Sequence, residues 1–144
     1  MSTKLRTTSW ILLTVVGTIT LLVSLLSANL AYRGDYPIGG TSVIEVAAGR
    51  PQILTALRGI RGTSAAYAAG FAVLFLATVL GPYRRGDKGA WWALLAAASI
   101  IVLVVIARVW IGIPFGSGGT GPALVQGALI LLALLLDVGR LTAR

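Results

Sequence analysis

The sequence predicts an all-α membrane protein, a single domain over residues 1–144 with four transmembrane helices in an antiparallel bundle. Composition is the first reason: 57% of the residues are hydrophobic and 11% are charged, whereas soluble domains are about a quarter charged. The second is that most charged residues flank four apolar runs, each near the roughly 20 residues that cross a hydrocarbon core of about 30 Å. The expected spans are about residues 10–31, 62–81, 90–113 and 122–139.

The first span follows a basic start, because Lys4 and Arg6 precede Trp10 and no charge occurs from Ile11 to Ala31. A cleaved signal peptide is the alternative interpretation. Its apolar core is normally about 7 to 15 residues. The longer run here favours an uncleaved first span.

The polar connection at residues 32–61 is the longest in the chain and holds two of the four acids, Asp35 and Glu45. Pro51 can occupy the first position of a helix. The apolar residues that follow it at helical spacing are Ile53, Leu54, Leu57 and Ile60. This pattern predicts a short interfacial helix in the first outer loop. Arg61 is unusual, since at 100° per residue it falls within the apolar stripe of that helix.

The second and third spans carry small residues at helical spacing. Gly62, Ala66 and Gly70 recur every four residues in the second span, which is expected to end at Gly81-Pro82, and Ala93 and Ala97 lie together in the third. Such faces let two membrane helices approach closely, so these five are the predicted helix-packing residues. Pro114 is expected to end the third span, and the Gly-rich segment 115–121 is expected to form a turn before the fourth span.

The basic residues predict the orientation of the spans. They are more numerous in the N-terminal tail, the second loop and the C-terminal tail than on the other side. Basic loops remain in the cytoplasm. Both termini are therefore expected to be cytoplasmic, in a multi-pass protein of the cell membrane. The basic residues expected on the cytoplasmic side are Lys4, Arg6, Arg84, Arg85, Lys88, Arg140 and Arg144.

Two segments resemble a family of small bacterial four-helix membrane proteins catalogued as a domain of unknown function. They are Arg58-Gly59-Ile60-Arg61-Gly62 through Gly70, and Arg108 through Gly112-Ile113-Pro114. The family pattern has an Arg and then small residues at the start of the second span, and an Arg followed by a Gly near the end of the third. The resemblance covers roughly residues 43–140, and it implies a fold and no activity.

Several polar residues are expected at the outer end of the bundle, where they could form a ligand site. Guanidinium groups bind carboxylate or phosphate, and an apolar cavity would take the tail of an anionic amphiphile such as a lipid or a quinone-like molecule. The candidate ligand-binding residues are Arg61, Arg108, Arg58, Glu45, Gln126 and Asn29.

Structural interpretations of the same residues remain open. Arg58 can reach a lipid phosphate at the interface, and Arg108 is near enough to Trp110 to do the same. Arg61 can pair with Glu45. Gln126 can supply a hydrogen bond between helices. Asp137 and Arg140 lie one helical turn apart, which predicts a solvated ion pair. Those last two are not counted among the ligand-binding candidates.

Enzyme chemistry is hard to assemble from this composition. The chain contains no His and no Cys, so the usual base, thiol nucleophile and ligands for a metal or haem are missing, and neither catalysis nor a cofactor is expected. The net charge of +8 comes from residues that flank spans, which favours contact with lipid headgroups over nucleic acid. A channel would be indicated by a ring of charged residues or a filter-like glycine run facing the interior of the spans, and the sequence shows neither.

Two functions remain after these exclusions. The first is a non-enzymatic membrane protein that acts through protein contacts, as an accessory or assembly subunit of a larger complex or as a homo-oligomer. The alternative is binding or transport of an anionic amphiphile at an outer arginine-lined mouth. A transporter would be indicated by a broken helix or an inverted repeat, and neither is visible in the sequence.

Overall fold

The computed structural model describes residues 3–38, 40–112 and 120–141, and these are mostly helical. A half-buried strand requires strict alternation of apolar and polar residues, and this pattern is rare in the chain. The long apolar runs form helices instead. In chain order the elements are α1 (Thr3–Arg33), β1 (Pro37–Ile38), β2 (Thr41–Ser42), α2 (Val43–Ala47), α3 (Pro51–Thr78), a π turn (Val79–Tyr83), α4 (Lys88–Trp110), α5 (Thr120–Leu136) and a 3-10 turn (Val138–Arg140).

Three helical segments are long and apolar enough to cross a membrane: Lys4–Arg33, Pro51–Tyr83 and Lys88–Trp110. They contain the first two predicted spans and most of the third, so the all-α class is confirmed, and three helices have the length and composition to cross a membrane. The fourth apolar helix, α5, has 17 residues and is shorter than the other three. The fourth crossing and the orientation of the spans stay predictions. The predicted end of the third span at Pro114 and most of the turn at 115–121 lie outside the described residues.

The segment that begins at Pro51 is continuous with the second span instead of forming a separate short helix. The helix α3 runs without a break through Gly59 and Gly62, because neither glycine interrupts its backbone hydrogen bonds. The separate short helix is α2, earlier in the chain. The Ser42 side chain caps it by accepting hydrogen bonds from the backbone of Ile44 and Glu45, and Ala48 ends it in the left-handed conformation with φ 47°. The interfacial position of the segment that begins at Pro51 stays a prediction.

The second span does not end at Gly81-Pro82 as expected, since the helix passes through both residues to Tyr83. Proline has no N–H and clashes with the carbonyl four residues earlier, which normally ends a helix. Here the chain widens into the π turn over Val79–Tyr83, and this wider turn accommodates the proline. The chain then turns into α4, which Asp87 caps by accepting a hydrogen bond from the Gly89 N–H at 2.7 Å.

The chain divides into two compact units, one of Met1–Thr18 with Leu74–Arg144 and one of Ile19–Val73. In the first unit, Gly17 of α1 lies against the side chains of Leu76 and Phe75 of α3, with 2.8 Å between its ideal Cβ and Leu76 Cδ2. A second pair of helices, α4 and α5, is joined at Trp91, whose Nε1 donates to the Leu134 carbonyl at 3.2 Å. The core residues of this unit include Leu13, Phe75, Val79, Leu94, Ala98, Ile130, Ala133 and Leu134.

The second unit contains the remainder of α1, the first part of α3, and β1, β2 and α2 between them. The strands pair antiparallel, with Pro37 opposite Ser42. The backbone N–H of Val43 donates to the Tyr36 carbonyl at 2.9 Å, which holds the start of α2 against the chain that follows α1. The buried apolar residues of the second unit are Ala31, Tyr36, Val43, Ala47, Ala65 and Ala72.

Candidate functional site

Arg61 is held by an aromatic ring and a hydroxyl group in the second unit. Its guanidinium lies 4.0 Å from the centre of the Tyr36 ring, and its Nε donates to Ser27 Oγ at 3.3 Å. Among the described residues the ion pair is Arg140–Asp137 and not the predicted Arg61–Glu45, and Glu45 is exposed in the first turn of α2. The flat guanidinium stacks on an aromatic face, which is a favourable arrangement for arginine. Its charge is therefore positioned but not neutralised by these contacts.

Arg58 lies one helical turn before Arg61, and only some of the hydrogen-bond donors of its guanidinium are satisfied by the described protein groups. Its Nη2 donates to the Gly34 carbonyl at 3.4 Å. Its Nε is buried and has no hydrogen-bond partner among the described residues. The hydroxyl group of Tyr36, the residue under Arg61, is likewise buried without a partner in the part of the chain that is described. We call Arg58, Arg61, Tyr36 and Ser27 the arginine cluster.

The carboxylates of the second unit do not neutralise this cluster. The unit contains four arginines and two acids. Asp35 is exposed and accepts hydrogen bonds from Ser42 Oγ, at 2.8 Å and 2.7 Å to its two carboxylate oxygens. Glu45 is also exposed. An oxyanion is the natural counter-charge for two guanidinium groups that protein carboxylates leave unpaired.

The other predicted ligand-binding residues do not belong to the arginine cluster. Asn29 is exposed on α1. Arg108 and Gln126 are half-buried on α4 and α5, in the first unit, and each has an interaction with another group. Arg58 and Arg61 lie one turn apart on α3 and have different partners, Gly34 for Arg58 and Ser27 and Tyr36 for Arg61. The convergence of the six candidates on one site stays a prediction. Sequence reasoning missed Tyr36 and Ser27, because a tyrosine in a polar loop and a serine in an apolar run carry no signal that they meet an arginine.

The predicted helix-packing residues differ in their surroundings. Gly62 is buried, and a Cβ at this position would overlap the Tyr32 hydroxyl group. Ala66 and Gly70 are exposed, and nothing lies within 4 Å of a Cβ built at Gly70. On α4, Ala93 is exposed and Ala97 is half-buried, whereas the buried residues of that helix include Leu94, Ala98 and Val105.

Six of the exposed residues of α3 in the second unit form a regular stripe, which we call the small-residue face. Successive members are alternately three and four residues apart, so they lie on one side of the helix. All are exposed, and a Cβ built at Gly59 also meets nothing within 4 Å. The members are Ala56, Gly59, Thr63, Ala66, Gly70 and Val73.

A second group of polar side chains is buried in the first unit. Ser9 Oγ donates to the Ala133 carbonyl at 2.7 Å, and since a serine has one proton to donate, Tyr83 donates its hydroxyl to Ser9 at 2.6 Å. Arg140 Nη1 donates to the Tyr83 carbonyl at 2.6 Å, and its guanidinium lies 4.0 Å from the centre of the Tyr83 ring. We call Ser9, Tyr83, Asp137 and Arg140 the polar cluster.

The ion pair between Asp137 and Arg140 is present, but it is not solvated as expected. Asp137 is 0% exposed and Arg140 is 6% exposed, because the turn after α5 directs both side chains inward against Tyr83. The spacing of the two residues indicates their contact, whereas burial depends on the packing of α1 and the π turn around them. No group of three or more His, Cys, Asp or Glu residues suited to a metal occurs in the described ranges.

Comparisons of this chain with protein-family models, curated proteins and solved structures find no match. The resemblance to small bacterial four-helix membrane proteins therefore stays a prediction.

Proposed function

We propose that this chain is a non-enzymatic, multi-pass protein of the cell membrane that acts through contacts with other membrane helices. In this proposal α1, α3, α4 and α5 all cross the membrane, with both termini in the cytoplasm. The observation that carries the functional part is the small-residue face of α3. Lipid tails contact large apolar side chains as readily as small ones, so a lipid-facing surface gives no reason for a regular stripe of small residues.

The spacing of the small-residue face suits a partner helix. Without a hydrophobic driving force between helices in lipid, association depends on close backbone contact, which Gly, Ala and Thr permit. Alternating steps of three and four residues keep such contact along a supercoiled pair. From Ala56 to Val73 the face covers about 26 Å of helix at 1.5 Å per residue, a length comparable to the hydrocarbon core.

The occupant that we propose is a second copy of the chain. A flat face of small residues is complementary to itself, and a two-fold dimer places the same patch of both copies in contact. A role as accessory subunit of a larger complex places a different membrane helix on the same face. Both forms require the face to be covered by protein.

Disulfide crosslinking tests this proposal directly, because the chain has no native cysteine. Ala66→Cys and Gly70→Cys place a thiol on the small-residue face. Ser64→Cys is the matched control, since Ser64 is exposed on the same helix and lies about 160° around it from Ala66. After oxidation in native membranes, we expect a disulfide-linked dimer from the two face variants and little from the control. Gly70→Leu, added to Ala66→Cys, is expected to lower the dimer fraction several-fold by separating the backbones.

The outcomes separate the alternatives. A crosslink from Ala66→Cys to a different membrane protein would support the accessory role in place of the dimer. Equal crosslinking at Ser64 and Ala66 would show random collision and would contradict the use of this face. A monomer without any crosslinked partner, in membranes and in nanodiscs, would overturn the proposed function.

A further inference from the structure

We propose that the arginine cluster binds a phosphate group, through Arg58 and Arg61 with the Tyr36 ring as a platform. This inference is independent of the proposed contacts between helices. At 100° per residue, Arg61 lies about 140° and Arg58 about 80° around α3 from Ala66, so neither arginine lies within the small-residue face. An experiment can therefore contradict the phosphate site without contradicting the proposed helix contacts, and the reverse also holds.

The donors of the cluster are the first argument. Arg58 Nε and the Tyr36 hydroxyl are both buried without a hydrogen-bond partner among the described residues, and Tyr36 is only 4% exposed. A buried polar group without a partner costs free energy unless something satisfies it. Each of these groups can donate a proton, and phosphate oxygens are acceptors for such donors.

The positioning of Arg61 is the second argument. One face of the Arg61 guanidinium stacks on the Tyr36 ring, at 4.0 Å from its centre. The Nε of Arg61 donates to Ser27. The two terminal nitrogens keep the fork geometry that matches two phosphate oxygens. A side chain fixed by a ring and a hydroxyl loses less conformational entropy when it binds an anion than a mobile surface arginine does.

The level of the cluster along α3 is the third argument. Arg58 and Arg61 lie immediately before the uncharged stretch from Gly62 to Pro82, within a segment that is long and apolar enough to cross a membrane. If α3 crosses the bilayer, both guanidinium groups lie near the phosphates of the headgroups. An anionic phospholipid is then the nearest source of the ligand, and free phosphate is the other source of the same chemistry.

The experiment uses the full chain purified in a neutral detergent, with phosphatidylglycerol added and bound lipid counted by native mass spectrometry. Arg61→Gln and Arg58→Gln each remove one guanidinium. Arg50→Gln and Arg33→Gln are the matched controls, because both arginines are exposed in the same unit and each substitution removes the same charge. We expect Arg61→Gln and Arg58→Gln to weaken binding of the first lipid by about tenfold or more, and the controls to change it by less than about twofold.

A second arm distinguishes the source of the phosphate. Inorganic phosphate and chloride are compared at equal ionic strength by thermal unfolding of the wild-type chain and Arg61→Gln. A phosphate-specific rise in Tm that Arg61→Gln abolishes would assign free phosphate as the ligand. Lipid binding that depends on Arg61, with no such rise, would assign the headgroup.

Further variants keep the test decisive if Arg61→Gln does not fold. Arg61→Lys retains the charge but loses the planar fork, so we expect lipid binding to weaken several-fold. Tyr36→Phe keeps the ring and removes only the hydroxyl donor, and it is expected to weaken binding less than Arg58→Gln. Equal losses in the control variants and the cluster variants would show non-specific attraction and would overturn the proposal. Unchanged binding in both Arg58→Gln and Arg61→Lys would overturn it as well.

Discussion

At the scale of single residues, the polar cluster shows how one arginine can organise the end of a helix. Arg140 donates to the Tyr83 carbonyl, stacks on the Tyr83 ring and pairs with the fully buried Asp137. A buried carboxylate that loses its partner keeps the cost of desolvation without the compensating attraction. Arg140 therefore stabilises the first unit chiefly by making burial of Asp137 tolerable.

We expect Arg140→Met to lower the free energy of unfolding by about 3 to 5 kcal/mol, because it leaves the Asp137 carboxylate buried and unpaired. Unfolding in detergent, followed by circular dichroism against added denaturing detergent, measures the loss. Arg85→Met is the control, since Arg85 is exposed, and it should change stability by less than about 0.5 kcal/mol.

The double variant Asp137→Leu with Arg140→Met completes the cycle for this pair. Removing both charges leaves no unpaired group, so the double variant should recover much of the stability that Arg140→Met loses. Additive losses from the two substitutions would show that the ion pair is not the reason for the importance of Arg140.

At the scale of elements, Gly17 of α1 and Gly70 of α3 have opposite roles. Gly17 permits close contact of α1 with Leu76 and Phe75, and its ideal Cβ lies 2.8 Å and 3.0 Å from atoms of these two side chains. Gly70 is exposed, and its ideal Cβ meets nothing within 4 Å. The first glycine is required by packing inside the first unit, whereas the second is open to a partner.

We expect Gly17→Ala to destabilise the monomer by about 1 to 3 kcal/mol through overpacking. Gly70→Ala should leave monomer stability unchanged or raise it by up to about 1 kcal/mol, since alanine favours a helix more than glycine does. Both are measured by unfolding in excess detergent, where the chain is diluted to a monomer. Equal effects of the two substitutions would contradict the packing role of Gly17.

At the scale of the whole molecule, the remaining question is how many times the chain crosses the membrane. Three helical segments have the length and composition to cross, and α5 is shorter. The basic residues of the sequence predict cytoplasmic termini. If α5 also crosses, the two ends of that helix are on opposite sides.

Single-cysteine labelling with a membrane-impermeant maleimide tests this topology at four exposed residues, Thr41, Arg85, Ile111 and Val138. We expect Thr41→Cys and Ile111→Cys to be labelled in intact cells. Arg85→Cys and Val138→Cys should be labelled only after permeabilisation. Labelling of Val138→Cys in intact cells, together with Ile111→Cys, would show that α5 does not cross.

Much of the fold could be predicted from local patterns, because hydrophobic length and helix periodicity are properties of neighbouring residues. The first three spans follow from apolar runs between charges. The passage of the chain through Pro82 could not be predicted, since proline normally ends a helix and the π turn accommodates it among packed side chains such as Tyr83. The continuity of α3 across Gly59 and Gly62 could not be predicted either. A glycine marks a position where a helix can break, but it does not require a break.

By itself, the sequence determined that this is a helical, membrane-type chain without histidine or cysteine chemistry, and that Arg58 and Arg61 precede an apolar helix. Composition and periodicity are enough for those conclusions. Only the tertiary structure decided that Arg61 stacks on Tyr36 instead of pairing with Glu45, and that the pair Asp137–Arg140 is buried. The stacking of Arg61 on Tyr36 joins residues that are far apart in the chain. Asp137 and Arg140 are close in the chain, but their burial depends on contact with the distant Tyr83, which a local sequence pattern does not specify.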